Sequence, residues 1–346
     1  MVGITINEVN IKNPRELQEI KGFLKDFSLT LDKDIDYTLS ITEDGRLIAT
    51  CSKEKNILKS FAILPEYQGE GLAAVMVTRI MDKLLEEGHE TFFVFTKPCN
   101  KNIFISLGFS TLYEGKDAVL LENGLTGIED YLKKIIKSNN IDTLKSRAAI
   151  VMNCNPFTLG HRFLIEKAAE ENEEVIIFLV EEDKSFFPFN IRYTMLKEGT
   201  KDIPGVKLIS GGKYIISSAT FPNYFIKEEN QRLRAYAEID AGVFYRYIAK
   251  ALNIKKRYVG EEPYCNITSQ YNEALKAMAK EYEVELIEVP RRTMGQKAIS
   301  ASSVRGYLAS GDIEKAFILL PATSAIFLKS PEGIELIEKL KRSHET

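Results

Sequence analysis

Two short runs of side chains have the types and spacing for phosphate chemistry. The first, Asn155-Pro156-Phe157-Thr158-Leu159-Gly160-His161, follows an apolar strand expected at 148–153 and opens a helix. A helix start presents unbonded N–H groups and the positive end of its dipole, which suits a phosphate. Thr158 adds a hydroxyl and His161 an imidazole donor. Gly160 gives the backbone freedom to bring the helix start close to a ligand. The second run, Ile299-Ser300-Ala301-Ser302-Ser303-Val304-Arg305, gathers three hydroxyls and a guanidinium at another expected helix start. Such a set can hold a polyphosphate and neutralise charge developing on a leaving pyrophosphate. Either run alone also fits an ordinary capped helix. The two together on one α/β segment are far more specific.

A third run lies near the other end of the chain. Gln68, Gly69, Gly71 and Ala73 follow a strand and open a long helix. Small residues there let successive N–H groups close around a pyrophosphate. Other chemistry is scarce. Three histidines form no HExxH and four cysteines form no CxxC, so no metal site is expected. Cys154, beside the phosphate run, reads as a small packed residue. Lys184, Arg192, Arg291, Arg292 and Lys297 flank the site. Lys184 and Arg192 are the favoured phosphate contacts, because they follow the carboxyl end of the second strand. Glu261 and Glu262 either turn toward a nucleoside or end a strand.

The elements that must position these groups fall into two patterns. To about residue 125 the chain reads as mixed α/β. A hairpin is expected at 36–42 and 47–51, strands at 57–64 and 91–96, and helices at 71–87 and 102–107. A helical linker fills 126–146. From 147 to 346, strands at 148–153, 175–180, 206–210, 257–260 and 283–288 alternate with helices at 160–171, 191–200, 230–252 and 267–282. That alternation predicts a doubly wound parallel sheet, with its site beyond the strands' carboxyl ends. The stretch from Pro331 is expected as a surface helix. The 346 residues are 45% hydrophobic and 27% charged with net charge −3, so there is material for two cores and no general pull toward nucleic acid. No apolar run approaches the roughly 18–20 residues of a membrane span, and no leader pattern opens the chain. A reducing cytoplasm is the expected location.

Thr158-Leu159-Gly160-His161 and Ile299-Ser300-x-Ser302-x-x-Arg305 resemble the TxGH and ISxSxxR marks of the nucleotidyltransferase superfamily. The resemblance implies a Rossmann-like domain in which ATP, with Mg²⁺ on its phosphates, is attacked at the α-phosphate. It makes Thr158, His161 and Arg305 the catalytic set. Thr158 and His161 would hold the α- and β-phosphates, and Ser302, Ser303 and Arg305 the β- and γ-phosphates. Asn155, Phe157, Gly160, Lys184, Arg192, Gly260 and Ser300 complete the expected ATP site. Gln68-x-x-Gly71-x-Ala73, with Phe104-Ile105-Ser106-Leu107-Gly108-Phe109, resembles the GNAT acetyltransferase superfamily over most of 1–125. That implies two strands splayed to admit a pantetheine arm, bound through Gln68, Gly69, Gly71 and Ala73. Many GNAT members carry a tyrosine proton donor four residues before the glycine. Phe104 stands there instead, which favours binding of the arm over acetyl transfer to an amine.

The fusion of the two resembles the citrate lyase ligase family along nearly the whole chain. Further marks are Ser185-Phe186-Phe187-Pro188-Phe189-Asn190-Ile191-Arg192, Val259-Gly260-Glu261-Glu262-Pro263-Tyr264 and Tyr271-Asn272. The resemblance implies an AMP-forming ligase. It would join acetate to the thiol of the CoA-derived prosthetic group on the acyl-carrier (gamma) subunit of citrate lyase, with no nucleic acid or membrane partner. Three rivals stay open: an adenylyltransferase with a phosphopantetheine or nicotinamide mononucleotide acceptor, a ligase for the malonate decarboxylase carrier, and a sensor of acyl-CoA and nucleotide.

Overall fold

The computed structural model describes residues 3–181, 184–216, 221, 224–226, 228–261, 266–295 and 297–344. Two compact units emerge. One comprises residues 1–131 with 221–239, the other 132–220 with 240–346. The sequence pattern had assigned everything past 147 to the second domain.

The first unit begins with β1 (Ile4–Glu8) and α1 (Pro14–Asp26), neither of which the sequence pattern had signalled. The expected hairpin follows as β2 (Tyr37–Glu43) and β3 (Arg46–Glu54), and the expected strand as β4 (Ile57–Ile63). Then come α2 (Leu72–Glu86), β5 (Thr91–Thr96), α3 (Lys101–Ser106), β6 (Ser110–Glu114) and β7 (Val119–Gly124). One sheet has the order β1-β2-β3-β4-β5-β7-β6. Leu39, Ile41 and Val94 on it pack with Met76, Ile80 and Leu84 of α2, in the helix expected at 71–87.

The strands β4 and β5 run parallel but pair only at Ile57↔Phe93 and Leu58↔Val94. The cause lies in β4. Thr50 and Ser52 of β3 pair with Ala62 and Lys59, so Ser60 and Phe61 together face the single residue between them. Ser60 takes φ 51°. A bulge of this kind bends its strand, and β4 leaves β5 after Leu58. The expected splay is therefore present.

Helix α4 (Ile128–Ser138) leads from the first unit into the second. There β8 (Arg147–Met152), α5 (Leu159–Glu171), β9 (Val175–Leu179), α6 (Phe189–Thr200) and β10 (Val206–Ser210) alternate. Next come α7 (Glu229–Val243), β11 (Ile254–Gly260), α8 (Asn266–Glu281) and β12 (Glu285–Val289). The five strands are parallel in the order β10-β9-β8-β11-β12. All five residues of β9 are buried, as a sheet covered on both faces requires. Because β9 and β11 lie on opposite sides of β8, the crossovers reverse there, and a crevice opens beyond the carboxyl ends of β8 and β11.

The chain closes with α9 (Ala301–Ala309), α10 (Ile313–Phe317), α11 (Ala322–Leu328) and α12 (Pro331–His344). The last is not merely a surface helix. Its Ile337 and Leu340 join the core that contains Phe157, Leu196 and Val304. No helix among the described residues is long and apolar enough to cross a membrane.

Candidate active site

The crevice holds a cavity of about 530 Å³ whose wall includes Asn155, Thr158, Gly160, His161, Ser300, Ser302 and Arg305. Residues from both sequence runs therefore meet at one place. Thr158 is the N-cap of α5, and its hydroxyl accepts from the His161 N–H at 3.4 Å. The His161 side chain returns the contact. Its Nδ1 accepts from the Thr158 N–H at 3.0 Å and lies 2.9 Å from the Thr158 hydroxyl. An Nδ1 that accepts carries no proton, so the ring's hydrogen sits on Nε2 as a donor. Burial, and next the nearby positive charge of Arg291, push the His161 pKa down to about 4. The imidazole is neutral at neutral pH.

Gly160 lines the cavity and has a packing role as well. A Cβ there would stand 2.9 Å from the carbonyl oxygen of Ile299. The missing side chain lets the start of α5 touch the residue leading into α9. Ser300 caps α9, accepting from the Ser303 N–H at 3.0 Å. The hydroxyls of Ser302 and Ser303 lie 3.0 and 2.7 Å from the Ser300 hydroxyl. Arg305 is half-buried and donates to the backbone carbonyl of Asn155, tying α9 back to the first run. Burial alone lowers its pKa, which leaves it far above neutrality and positively charged.

Several expected contacts take other places. Arg192 is fully buried and does not line the cavity. Its guanidinium donates to the carbonyls of Phe187, Asn153 and Val180 at 2.9, 2.7 and 2.8 Å. It fastens the ends of β8 and β9 to the start of α6, so it supports the site from beneath instead of meeting phosphate. Phe157 is a core residue whose ring stacks on His161 at 6.1 Å between centroids. Lys184 and Lys297 are exposed and absent from the cavity wall, and the partly buried Ser303 is absent from it too. Thr158 is almost wholly buried, and its hydroxyl is committed to His161. Cys154 is buried, as expected. Glu262, Pro263 and Tyr264 lie outside the described residues.

The wall also holds residues that the sequence flags only as flanking charge or as family marks. Gly260, at the end of β11, was expected, but Tyr271, Asn272, Arg291 and Arg292 had not been assigned to the ATP site. The signal was positional: both arginines follow directly on the end of β12, where a parallel sheet binds ligands. Arg291 is anchored by donating Nε–H to the Glu261 carbonyl at 2.8 Å. Asn272 donates to the Gly260 carbonyl at 3.1 Å, and the Tyr271 hydroxyl donates to Asp240 at 2.6 Å.

The first unit has its own cavity of about 660 Å³, between the separated β4 and β5. Gln68, Gly69, Gly71 and Ala73 all line it. Gly69 and Gly71 adopt φ 88° and 82°, a region costly for other residues, and Gly71 caps α2. Gln68 donates to the Ile63 carbonyl at 3.2 Å, pinning the loop to the end of β4. Phe104 lines the same cavity, edge-on to Phe61 and Phe109 at 5.7 and 5.8 Å.

Comparisons with known proteins reach both units. Residues 147–328 match the citrate lyase ligase C-terminal domain model, and residues 8–109 the acetyltransferase (GNAT) family model. A [citrate [pro-3S]-lyase] ligase of Escherichia coli is 37% identical over 322 residues, covering 91% of each chain. Proteins of the same name from Klebsiella pneumoniae and Haemophilus influenzae are 34% and 35% identical. They cover 92% and 91% of this chain, and 94% and 96% of their own. Similarity that runs through both units, and through the residues around the crevice, makes this chain a member of the citrate lyase ligase family.

Proposed function

We propose that the second unit activates acetate with ATP, and that the thiol of a CoA-derived arm on the citrate lyase acyl-carrier subunit takes the acetyl group. The convergence of the Thr158–His161 and Ser300–Arg305 runs on one cavity carries this reading. An acetate oxygen attacks the α-phosphorus of ATP, the bond to the bridging oxygen breaks, and pyrophosphate leaves. The thiol, losing its proton, then attacks the acetyl carbon, and AMP leaves with the shared electron pair.

The residues suit these steps. His161 donates Nε2–H to a phosphoryl oxygen, and Thr158 holds its ring in that tautomer. Arg291, Arg292 and Arg305 supply positive charge where pyrophosphate builds up negative charge. Ser302 adds a hydroxyl and the first turn of α9 its N–H groups. Catalysis here is positioning and charge stabilisation, and it needs no protein nucleophile. Mg²⁺ enters as part of the substrate, on the triphosphate. The first unit's cavity receives the carrier's arm at the Gln68–Ala73 loop. A cytoplasmic location goes with ATP as substrate.

Acetate-dependent exchange of pyrophosphate into ATP, with Mg²⁺ and no carrier, tests the reading. Exchange that requires acetate is expected. Turnover only with a phosphate-bearing acceptor, giving a stable dinucleotide, would move the chain to the ordinary nucleotidyltransferases.

A further inference from the structure

The cleft between β4 and β5 has two distinct ends. Gln68 marks the open one, since it bonds the carbonyl of Ile63, the last residue of β4. The closed end is where the strands part, just past Leu58 and Val94. Five residue steps lead from Leu58 to Ile63, roughly 15 Å along a bulged strand. An extended arm held by its pyrophosphate at the glycine loop thus points its thiol at the closed end.

That end is filled from elsewhere in the chain. Tyr224 donates its hydroxyl to the carbonyl of Phe95, the first residue of β5 beyond the last pair. Its own carbonyl accepts from the Thr30 N–H at 3.2 Å. The ring of Phe221 meets that of Phe95 edge-on at 5.3 Å. Tyr224 and Phe225 are buried and face the cleft together with Phe27 and Leu29. The same stretch is tied to the unit further on: Gln231 donates to Asp117 at 2.8 Å, and Glu238 accepts from the Lys116 N–H at 2.9 Å. Burial first, and then the charge of Asp32, raise the pKa of the Tyr224 phenol, so it stays protonated and remains a donor.

We propose that Tyr224 is the stop of this cleft: its ring, held on Phe95, leaves space for a free thiol and excludes a bulky acyl group on the sulfur. This rests on the reading of the cleft as the arm's site and deepens it. The first unit would then admit the free-thiol arm that the reaction consumes and turn away an arm that carries a long acyl chain. It would also deny an acyl acceptor any approach from behind the sulfur, which agrees with Phe104 in place of a proton donor.

Calorimetry on the full chain tests this with CoA and hexanoyl-CoA as probes. The unaltered protein should bind CoA at least tenfold more tightly. Tyr224→Leu and Tyr224→Ala should shrink that ratio to threefold or less, whereas Tyr224→Phe, which keeps the ring, should preserve most of it. Equal affinity of the unaltered protein for both probes overturns the stop, with no variant needed. So does an unchanged ratio in Leu and Ala variants whose circular dichroism is native. Failure to bind either probe overturns the arm reading itself, a different result from equal binding.

Discussion

At the scale of single residues, the chemistry turns on where His161 keeps its proton. The Thr158 N–H occupies Nδ1, so the ring offers Nε2–H while staying neutral. Its pKa of about 4 means protonation is resisted through the range in which a free histidine titrates. Between pH 6.5 and 4 the unfolded chain therefore holds more protons at this residue than the folded one. The stability it contributes is complete above pH 6.5 and lost as pH falls toward 4. Urea unfolding between pH 4.5 and 7 should show this slope, and His161→Gln should remove part of it. The same slope in both proteins would reject the depressed pKa. Thr158, His161, Ser302 and Arg305 were legible because their types and spacing sit at helix starts. Arg192 was misread because sequence position places it at a strand's carboxyl end, and nothing local says that three carbonyls enclose it. Arg291 was undervalued for the converse reason, since an isolated arginine reads as surface charge until its strand is placed in the sheet.

At the scale of elements, the site depends on two helix starts meeting. The contact is between Gly160 and the Ile299 carbonyl, and Arg305 strengthens it by bonding the Asn155 carbonyl. Gly160→Ala places a carbon 2.9 Å from that oxygen. Backbone does not yield cheaply, so α5 and α9 must separate by a few tenths of an ångström. Donors aimed at developing charge lose effect steeply when displaced. We expect acetate-dependent exchange to fall about 10²-fold in this variant, with a native circular dichroism spectrum. Near-normal exchange would show that the close approach is incidental to catalysis. Most strands and helices of the second unit were visible from periodicity and alternation. Strand order was not, because every buried parallel strand presents the same apolar run. β1 and α1 escaped notice for another reason: β1 is only partly buried, and neighbours far along the chain stabilise both.

At the scale of the whole molecule, the two units are not simply consecutive. Residues 221–239 belong to the first although they follow β10 of the second. Sequence pattern does not reveal such an excursion, since Phe221, Tyr224, Phe225 and Ile226 look like core of whichever domain surrounds them. It also changes how the division of labour must be tested. Deleting residues 1–125 would remove Phe95, which Phe221 and Tyr224 contact, and most of the cleft that Phe225 lines. The truncated chain would then report on misfolding more than on delivery of the arm. A substitution within the cleft separates the two. Gly71 sits at φ 82°, where a β-branched residue is strained, and its backbone forms the loop that would hold the arm's pyrophosphate. Gly71→Val should therefore weaken the arm's hold and act chiefly on the second half-reaction. Acetylation of the carrier should fall at least tenfold further than acetate-dependent exchange does in the same preparation. Equal losses in both assays would mean that the first unit supports the fold of the ligase without handling its thiol substrate.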